Sequence, residues 1–454
     1  MSAADRVAPA RRAAFEVVRR TFEQDAWADR VLPTAVSRHG LDGRDRALAQ
    51  RLAYGAIQRR GTLDHLIADL AGRPVGEIDP PLRAALRLGM YEVLYAGGTP
   101  DHAAVDQAVE LGKGEGDRGG AGMVNAVLRR AARERRALLG GLSESTPGEA
   151  ALALSHPEWL AEMWWEELGP DVARALMAAD NQPAETAMRV NPLRANPDDL
   201  VSELAHADAE IDRPAAPPAP EESLVIAGPI GHDLAGRIDA GELVPQSRAS
   251  AAVVAALEPR PGERVLDLCA GPGIKTTQIA ARMSDEGEIV AVDVDPGRAR
   301  EVGDLCARLG ASSVRVIEAD ASRDDLGGGY DRVLVDPPCS DLGTLASRPD
   351  ARWRKSPEQI EGLARLQGEI LERGAAALRP GGTLVYSTCT ISRRENEERV
   401  TRVLENPLLR LRADDLGAMY PPLSSAHDGR FLQTRPDRDR TDGFFIARLR
   451  SVAE

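Results

Sequence analysis

The stretch Arg264-Val265-Leu266-Asp267-Leu268-Cys269-Ala270-Gly271-Pro272-Gly273-Ile274-Lys275 decides the fold. Arg264–Leu268 reads as a buried strand, the glycines turn the chain, and Lys275–Met283 reads as the helix that follows. Outward from this unit the alternation repeats. Strands are expected at Glu288–Asp293, Val314–Glu318, Arg332–Val335 and Thr383–Tyr386, with a terminal strand at Phe444–Leu449. Helices are expected at Pro296–Leu309, Pro357–Leu378 and Arg394–Leu404. Such alternation gives a mainly parallel, doubly wound α/β sheet. Sheets of this kind bind ligands at the carboxyl ends of their strands.

The turn after the first strand is built for a ligand. Small residues let a molecule approach the backbone, and the helix start offers free N–H groups to a carboxylate. Asp293 ends the second strand, where an acid binds ribose hydroxyls, and Asp320 follows the third, within reach of an adenine amino group. The spacing Gly271-x-Gly273 lacks the third glycine of a dinucleotide fingerprint, which disfavours NAD or FAD and suits S-adenosylmethionine. Lys275 stands in the first helical turn, an unfavourable place for a cation, in a chain whose only other lysines are Lys113 and Lys355. It is expected to hold the cofactor carboxylate or orient the substrate.

Two further segments, Val333-Leu334-Val335-Asp336-Pro337-Pro338-Cys339-Ser340 and Leu384-Val385-Tyr386-Ser387-Thr388-Cys389-Thr390, each place a thiol just past a buried strand. Either cysteine alone reads as a small buried hydrophobe. Two in matching positions suit chemistry on a planar base. C5 of cytosine is a poor nucleophile until a thiolate adds at C6 and makes C5 enamine-like, after which it accepts a methyl group and loses its proton as the thiolate leaves. Asp336 would bond the N3/N4 edge of the pyrimidine. One thiol is needed as nucleophile, and the second would assist release.

The rest of the 454-residue chain is long enough for two or three domains. From Arg11 to about Leu139 helical spacing dominates, as in Phe15, Val18, Phe22 and in Leu82, Leu86, Met90, Leu94, with breaks at Gly40–Gly43, Gly72–Pro74, Pro80-Pro81, Gly97–Pro100 and Gly112–Gly122. Between 145 and 245 the signals are mixed. Ser155-His156-Pro157 opens a helix carrying Trp159, Trp164 and Trp165, residues for the core or for stacking on a base. Ala187–Asn191 reads as a strand, Asn196-Pro197 starts a helix to about Ala207, and Pro214–Pro220 is a surface loop. The expected organisation is a helical bundle over 1–140, a small α+β subdomain over 145–245 and the α/β domain over 246–454.

The net charge of −14 argues against indiscriminate nucleic-acid binding. The first 150 residues hold 22 Lys and Arg against 20 Asp and Glu, leaving 35 against 51 for the remainder, so the acidity belongs to the later part. Basic runs at Arg129-Arg130 and Arg133–Arg136 permit RNA contact, although such runs are usually solvated helix faces. No apolar run long enough for a bilayer and no signal-peptide stretch is present, so a cytoplasmic protein without membrane association is expected. Cys269, Cys306, Cys339 and Cys389 show neither a zinc spacing nor a disulfide framework, and reduced thiols without a metal are expected.

These motifs carry a family resemblance that spans nearly the whole chain. Leu266–Thr276, Asp336–Gly343 and Tyr386–Thr390 resemble the RNA cytosine-5 methyltransferases of the Nol1/Nop2/Sun family, and most of all their RsmB (Sun) type, which methylates 16S ribosomal RNA. Arg46–Arg60 and Met123–Arg130 resemble the NusB-like RNA-binding domain of that type, and Ser155-His156-Pro157 and Asp442-Gly443-Phe444-Phe445 are also similar to it. The resemblance implies Cys389 as nucleophile and Cys339 as the residue aiding release. It implies S-adenosylmethionine contacts at Cys269, Ala270, Gly271, Pro272, Gly273, Ile274, Lys275, Asp293, Asp320 and Asp336. Its implied partner is ribosomal RNA, 16S and naked or partly assembled, bound by a monomer. The chain departs from the family's C-A-A-P-G-G-K at Gly271 and Ile274, and from D-A-P-C at Pro337.

Other readings have specific signatures. A DNA cytosine-5 methyltransferase would use the P-C thiol and carry an E-N-V motif, which the chain lacks. An amino-methyltransferase with D-P-P would place an aromatic where Cys339 stands and has no need of Cys389. Methylation of another RNA, a tRNA or 23S rRNA, uses the same residues, and a non-catalytic RNA-binding assembly factor would not need both thiols. A stacked cytosine hides C6, so the target base must be unpaired or flipped out.

Overall fold

The computed structural model describes residues 6–115, 118–206, 210–212, 220–227 and 232–452. They fall into two compact units, Met1–Pro183 with Leu345–Arg354, and Ala184–Thr344 with Lys355–Glu454.

The first unit has no strand among its described residues. The stripe Leu82, Leu86, Met90 and Leu94 is buried throughout, as the helical spacing predicts, and it packs with Leu63, Ile67, Val124 and Leu128. Burying each such side chain is worth about 1.5–3 kcal/mol. Local signals set the helix starts: Asp42 accepts from the Asp45 backbone N–H, Pro80 opens the helix Pro80–Tyr91, and Thr146 with Glu149 forms a capping box. The expected break in Gly112–Gly122 coincides with a helix boundary, one helix ending at Glu115 and the next starting at Arg118. Gly112 and Gly120 fall inside those helices because each leaves room for the Leu82 side chain. Packing there outweighs the glycine cost of roughly 0.5–1 kcal/mol each. The helices Pro147–Leu154, Glu158–Leu168 and Pro170–Ala179 group with this unit, so part of the mixed 145–245 region is helical-unit structure. Trp164 is fully buried beside His156, as the core reading expects, whereas Trp159 and Trp165 are half-buried and Arg174 covers the Trp165 ring at 5.0 Å. The basic run near Arg133 is largely partnered: Arg130 pairs with Glu134, and Arg135 with Asp101.

The second unit begins with a small antiparallel sheet of β1 (Ala187–Val190), β2 (Glu210–Asp212), β3 (Ser223–Ala227) and β4 (Leu243–Pro245), in the order β2-β3-β1-β4. Only β1 was expected. The other three are three to five residues long and carry too little alternation to stand out. The helix Pro197–His206 starts at Asn196, whose side chain accepts from the Asp198 N–H, as expected. The expected Pro214–Pro220 loop lies, except for Pro220, outside the described residues.

The large sheet comprises β5 (Arg264–Leu268), β6 (Glu288–Asp293), β7 (Val314–Glu318), β8 (Tyr330–Val335), β9 (Leu378–Thr388), β10 (Leu411–Ala413), β11 (Leu432–Gln433) and β12 (Phe445–Ser451). Its order is β10-β12-β9-β8-β5-β6-β7, with β11 on β12; β9-β8-β5-β6-β7 are parallel and β12 is antiparallel. Five of the six expected strands coincide within about two residues. The exception, β9, starts at Leu378 instead of Thr383, because Tyr330 pairs with Leu378 before a register shift that restores the Arg332–Thr383 pairing. That early pairing also ends the preceding helix at Ala376, short of the expected Leu378. Alternate residues of β5 face opposite cores: Val265 joins Ile279 and Ile289 on one face, and Leu266 and Leu268 join Val333 and Leu371 on the other.

Candidate active site

β8 and β9 are parallel neighbours, with Val335 opposite Tyr386. The register therefore brings the segments beyond them side by side, fifty residues apart in sequence. Asp336, the first residue past β8, accepts from Ser387 Oγ at 2.7 Å and from Lys275 Nζ at 2.7 Å. Burial disfavours the Lys275 charge, but the Asp336 carboxylate outweighs it and raises the lysine pKa above its ordinary value. The Lys275 ammonium also lies 5.1 Å from the Phe444 ring centroid. Lys275 thus fixes the Asp336 carboxylate, a contact that neither of its expected uses described.

Past these acids the two thiols meet. Cys339 Sγ and Cys389 Sγ are 3.2 Å apart, and Cys389 Sγ lies 3.2 Å from Asp341 Oδ1. Lys355 Nζ stands 3.7 Å from Asp341 Oδ2 and 3.5 Å from the Cys339 carbonyl oxygen. Cys339 is buried and Cys389 half-buried.

Two devices hold these loops. Glu395, wholly buried, accepts from the Ser340 backbone N–H at 2.9 Å, from Ser340 Oγ and from Gln367 Nε2 at 2.9 Å, with Thr390 Oγ1 at 3.4 Å. One carboxyl therefore ties the residue after Cys339 to the residue after Cys389, and burial raises its pKa despite these hydrogen bonds. The second device is a backbone crossing. Gly343 N–H donates to the Cys389 carbonyl at 2.9 Å, and Gly443 N–H donates to the Gly343 carbonyl at 2.6 Å. A Cβ at Gly343 would stand 1.9 Å from the Gly443 oxygen, so only glycine permits this approach.

The cofactor end is formed at β5 and β6. Gly271 N–H donates to Asp293 Oδ2 at 3.1 Å, and a Cβ there would lie 2.6 Å from that oxygen, which accounts for glycine at this departure from the family pattern. Arg298 pairs with the other Asp293 oxygen at 3.3 Å. Gly273 turns the chain at φ +100° into the helix Ile274–Arg282. The Ile274 side chain packs against Val244, Leu305 and Leu309. Cys269 sits at φ +65°, and burial raises its thiol pKa. Asp320, more exposed, accepts from Ser322 N–H at 2.9 Å. A glycine cradle, a buried acid at the β6 tip and an open acid at the β7 tip fit a nucleoside with a charged amino-acid tail.

Cys389, Cys339, Asp336 and Lys275 are thus brought together, and Cys269–Gly273, Asp293 and Asp320 lie along the neighbouring strand ends. Sequence reading passed over Ser387, Asp341, Glu395 and Lys355. Ser387 sits opposite Asp336 by strand register, and Asp341 has one sequence-level mark, its place in the D-P-P-C-S-D-L-G stretch. Nothing local announces Glu395.

Fold and site together define a methyltransferase of the S-adenosylmethionine-dependent, Rossmann-like class. The family described as 16S rRNA methyltransferase RsmB/F matches residues 254–450, the NusB family residues 8–133, and the ferredoxin-like domain of RsmF/B-like methyltransferases residues 156–230. The probable ribosomal RNA small subunit methyltransferase B of Synechocystis sp. is 34% identical over 451 residues, covering 98% of this chain and 99% of the relative. The ribosomal RNA small subunit methyltransferase B of Thermus thermophilus is 37% identical over 429 residues, with 94% of each covered. The crystal structure of a methyltransferase homologue protein from Pyrococcus horikoshii is similar at a TM-score of 0.60 and 28% identity, over 68% of this chain and 99% of that one. The chain belongs to the ribosomal RNA small subunit methyltransferase B family, the RsmB (Sun) type with a NusB-like N-terminal domain.

Proposed function

We propose that this protein methylates C5 of a cytosine in 16S ribosomal RNA, naked or partly assembled, using S-adenosylmethionine and a covalent adduct between Cys389 and C6. The observation that carries this reading is the thiol pair 3.2 Å apart beside Asp336, at the carboxyl ends of adjacent parallel strands. S-adenosylmethionine, when bound, supplies an electrophilic methyl group. Cys269 to Lys275 and Asp293 would hold its amino-acid tail and ribose, Asp320 its adenine, and Asp336 would border it beside the target base. Asp336, fixed by Lys275 and Ser387, bonds the N3/N4 edge and stabilises charge that develops as the sulfur adds. Cys389, the more open thiol, attacks C6, and Cys339 assists release.

The helical unit and the small α+β subdomain that carries β1–β4 are proposed to grip the RNA, with 246–454 performing catalysis by a monomer in the cytoplasm. Among the described residues no helix is long and apolar enough to cross a membrane.

The test is covalent trapping on small-subunit rRNA transcribed with 5-fluorocytidine, since fluorine at C5 blocks release. An adduct of wild type that Cys389→Ser abolishes is expected, while Cys339→Ser accumulates a stalled complex on unmodified RNA. Bisulfite sequencing of the methylated RNA locates the base. An adduct that persists in Cys389→Ser and disappears in Cys339→Ser would reverse the two roles.

A further inference from the structure

Asp341 is the anomaly of the catalytic loop. Its backbone is left-handed, at φ +60°, a conformation that glycine adopts freely and other residues at a cost. A carboxylate nonetheless occupies the position, and its Oδ1 lies 3.2 Å from Cys389 Sγ. Lys355 stands 3.7 Å from the other oxygen and turns Oδ1 toward the sulfur. Charge makes the pairing informative. A carboxylate within hydrogen-bond distance of a thiol is placed to accept its proton as the sulfur bonds to carbon.

Resting on the covalent reading above, we propose that Asp341 is a catalytic residue, the general base that takes the Cys389 proton as the sulfur bonds to C6. In the addition step the Cys389 S–H bond breaks and its proton passes to Asp341 Oδ1. A sulfur lone pair forms the S–C6 bond, and the C5=C6 π pair shifts toward the N3 edge beside Asp336. C5 then bonds the methyl group, and the S–CH3 electron pair stays on the donor's sulfur. In release, which Cys339 assists, the C5 proton leaves to water, its bonding pair re-forms C5=C6, and the S–C6 pair returns to Cys389. That sulfur recovers its proton from Asp341, so the base is reset and one proton is released per methyl transferred. The ionisable groups facing this exchange are Lys355 and Cys339 on the loop side, and Lys275 with Asp336 from the cofactor helix and β8; Lys275 feels the Cys389 charge directly.

The experiment measures single-turnover adduct formation on 5-fluorocytidine small-subunit rRNA against pH, for wild type, Asp341→Asn and Asp341→Gly. Glycine removes the carboxylate while relieving the left-handed backbone, so Asp341→Gly should melt no lower than wild type. With an internal base the wild-type rate is level from about pH 6 to about pH 8. Without it the attack needs a free thiolate, so both variants should be roughly 10²-fold slower at pH 7 and rise about tenfold per pH unit toward the thiol range near 8.5. Adduct formation by both variants at the wild-type rate and with the wild-type pH profile would overturn the role of Asp341 and leave the covalent mechanism intact. No adduct in wild type, or one that survives Cys389→Ser, would instead remove the covalent reading on which the role depends.

Discussion

Asp267 shows how one residue's surroundings can govern a pH response. It lies on the β5 face that meets the helix Ile274–Arg282, where Thr276 Oγ1 donates to it at 2.7 Å. Burial, partly opposed by that hydrogen bond, pushes its pKa up to about 7. The unfolded chain titrates near 3.9. Between about 4 and about 7 the unfolded state has lost the proton that the folded state keeps, so stability from this group is full below 4 and falls as pH rises through 7. Asp267→Asn keeps an acceptor for Thr276 and removes the titration. Urea unfolding should find the variant gaining on wild type by roughly 2 kcal/mol as pH rises from 5 to 7, and no further above about 8. A gap that stays constant with pH would show that Asp267 is already ionised in the folded protein.

At the scale of elements, the site depends on loops that β8, β9 and β12 bring together. Strand positions were readable from aliphatic runs five or six residues long, and the two thiols were legible because each stands just past such a run. The partners that position them were not. Ser387 meets Asp336 through strand register, Glu395 reaches both cysteine loops from a turn before the helix Glu397–Leu404, and Gly343 meets Gly443 across a hundred residues of chain. The last contact gives a clean prediction. Gly343→Ala puts a methyl group against the Gly443 backbone, which has no flexible side chain to yield. A loss of roughly 1–3 kcal/mol in stability is expected, with adduct formation reduced further than the melting shift alone explains. Thermal melting and the fluorocytidine assay together read both effects, and unchanged values would mean that the crossing is looser than described.

For the whole molecule, the notable feature is where Leu345–Arg354 belongs. This segment directly follows Thr344 of the loop that carries Cys339, yet it groups with the helical unit. Arg352 is fully buried there, and burial lowers its pKa to about 10, so it remains a cation at neutral pH. It donates to the backbone carbonyls of Ser155, Asp180 and Leu345 at 2.9–3.2 Å and to Asn181 Oδ1 at 3.0 Å. His156 of the Ser-His-Pro motif is buried beside it with a depressed pKa, from burial and from the Arg352 charge, and so stays neutral. Arg352→Met should leave the Ser155 and Leu345 carbonyls without this donor, Asp180 keeping Gln58 Nε2 at 3.2 Å, and cost roughly 3 kcal/mol. Hydrogen exchange should then show faster opening of the helices Gly43–Gln58 and Pro170–Ala179, while protection in β5 and β6 stays as in wild type.

The sequence by itself determined the doubly wound sheet, the helical first unit, the two thiols and the row of acids at the strand ends. Each of these is written in local signals, a period of 2 or 3.6 residues or a short motif, that need no distant partner. Tertiary structure alone decided that Asp341 touches Cys389, that Glu395 ties both cysteine loops, that glycines cross at 343 and 443, and that the chain after Thr344 joins the helical unit. Those outcomes depend on which remote segments the strand register and the packing bring within hydrogen-bond distance, and no window of sequence contains both partners.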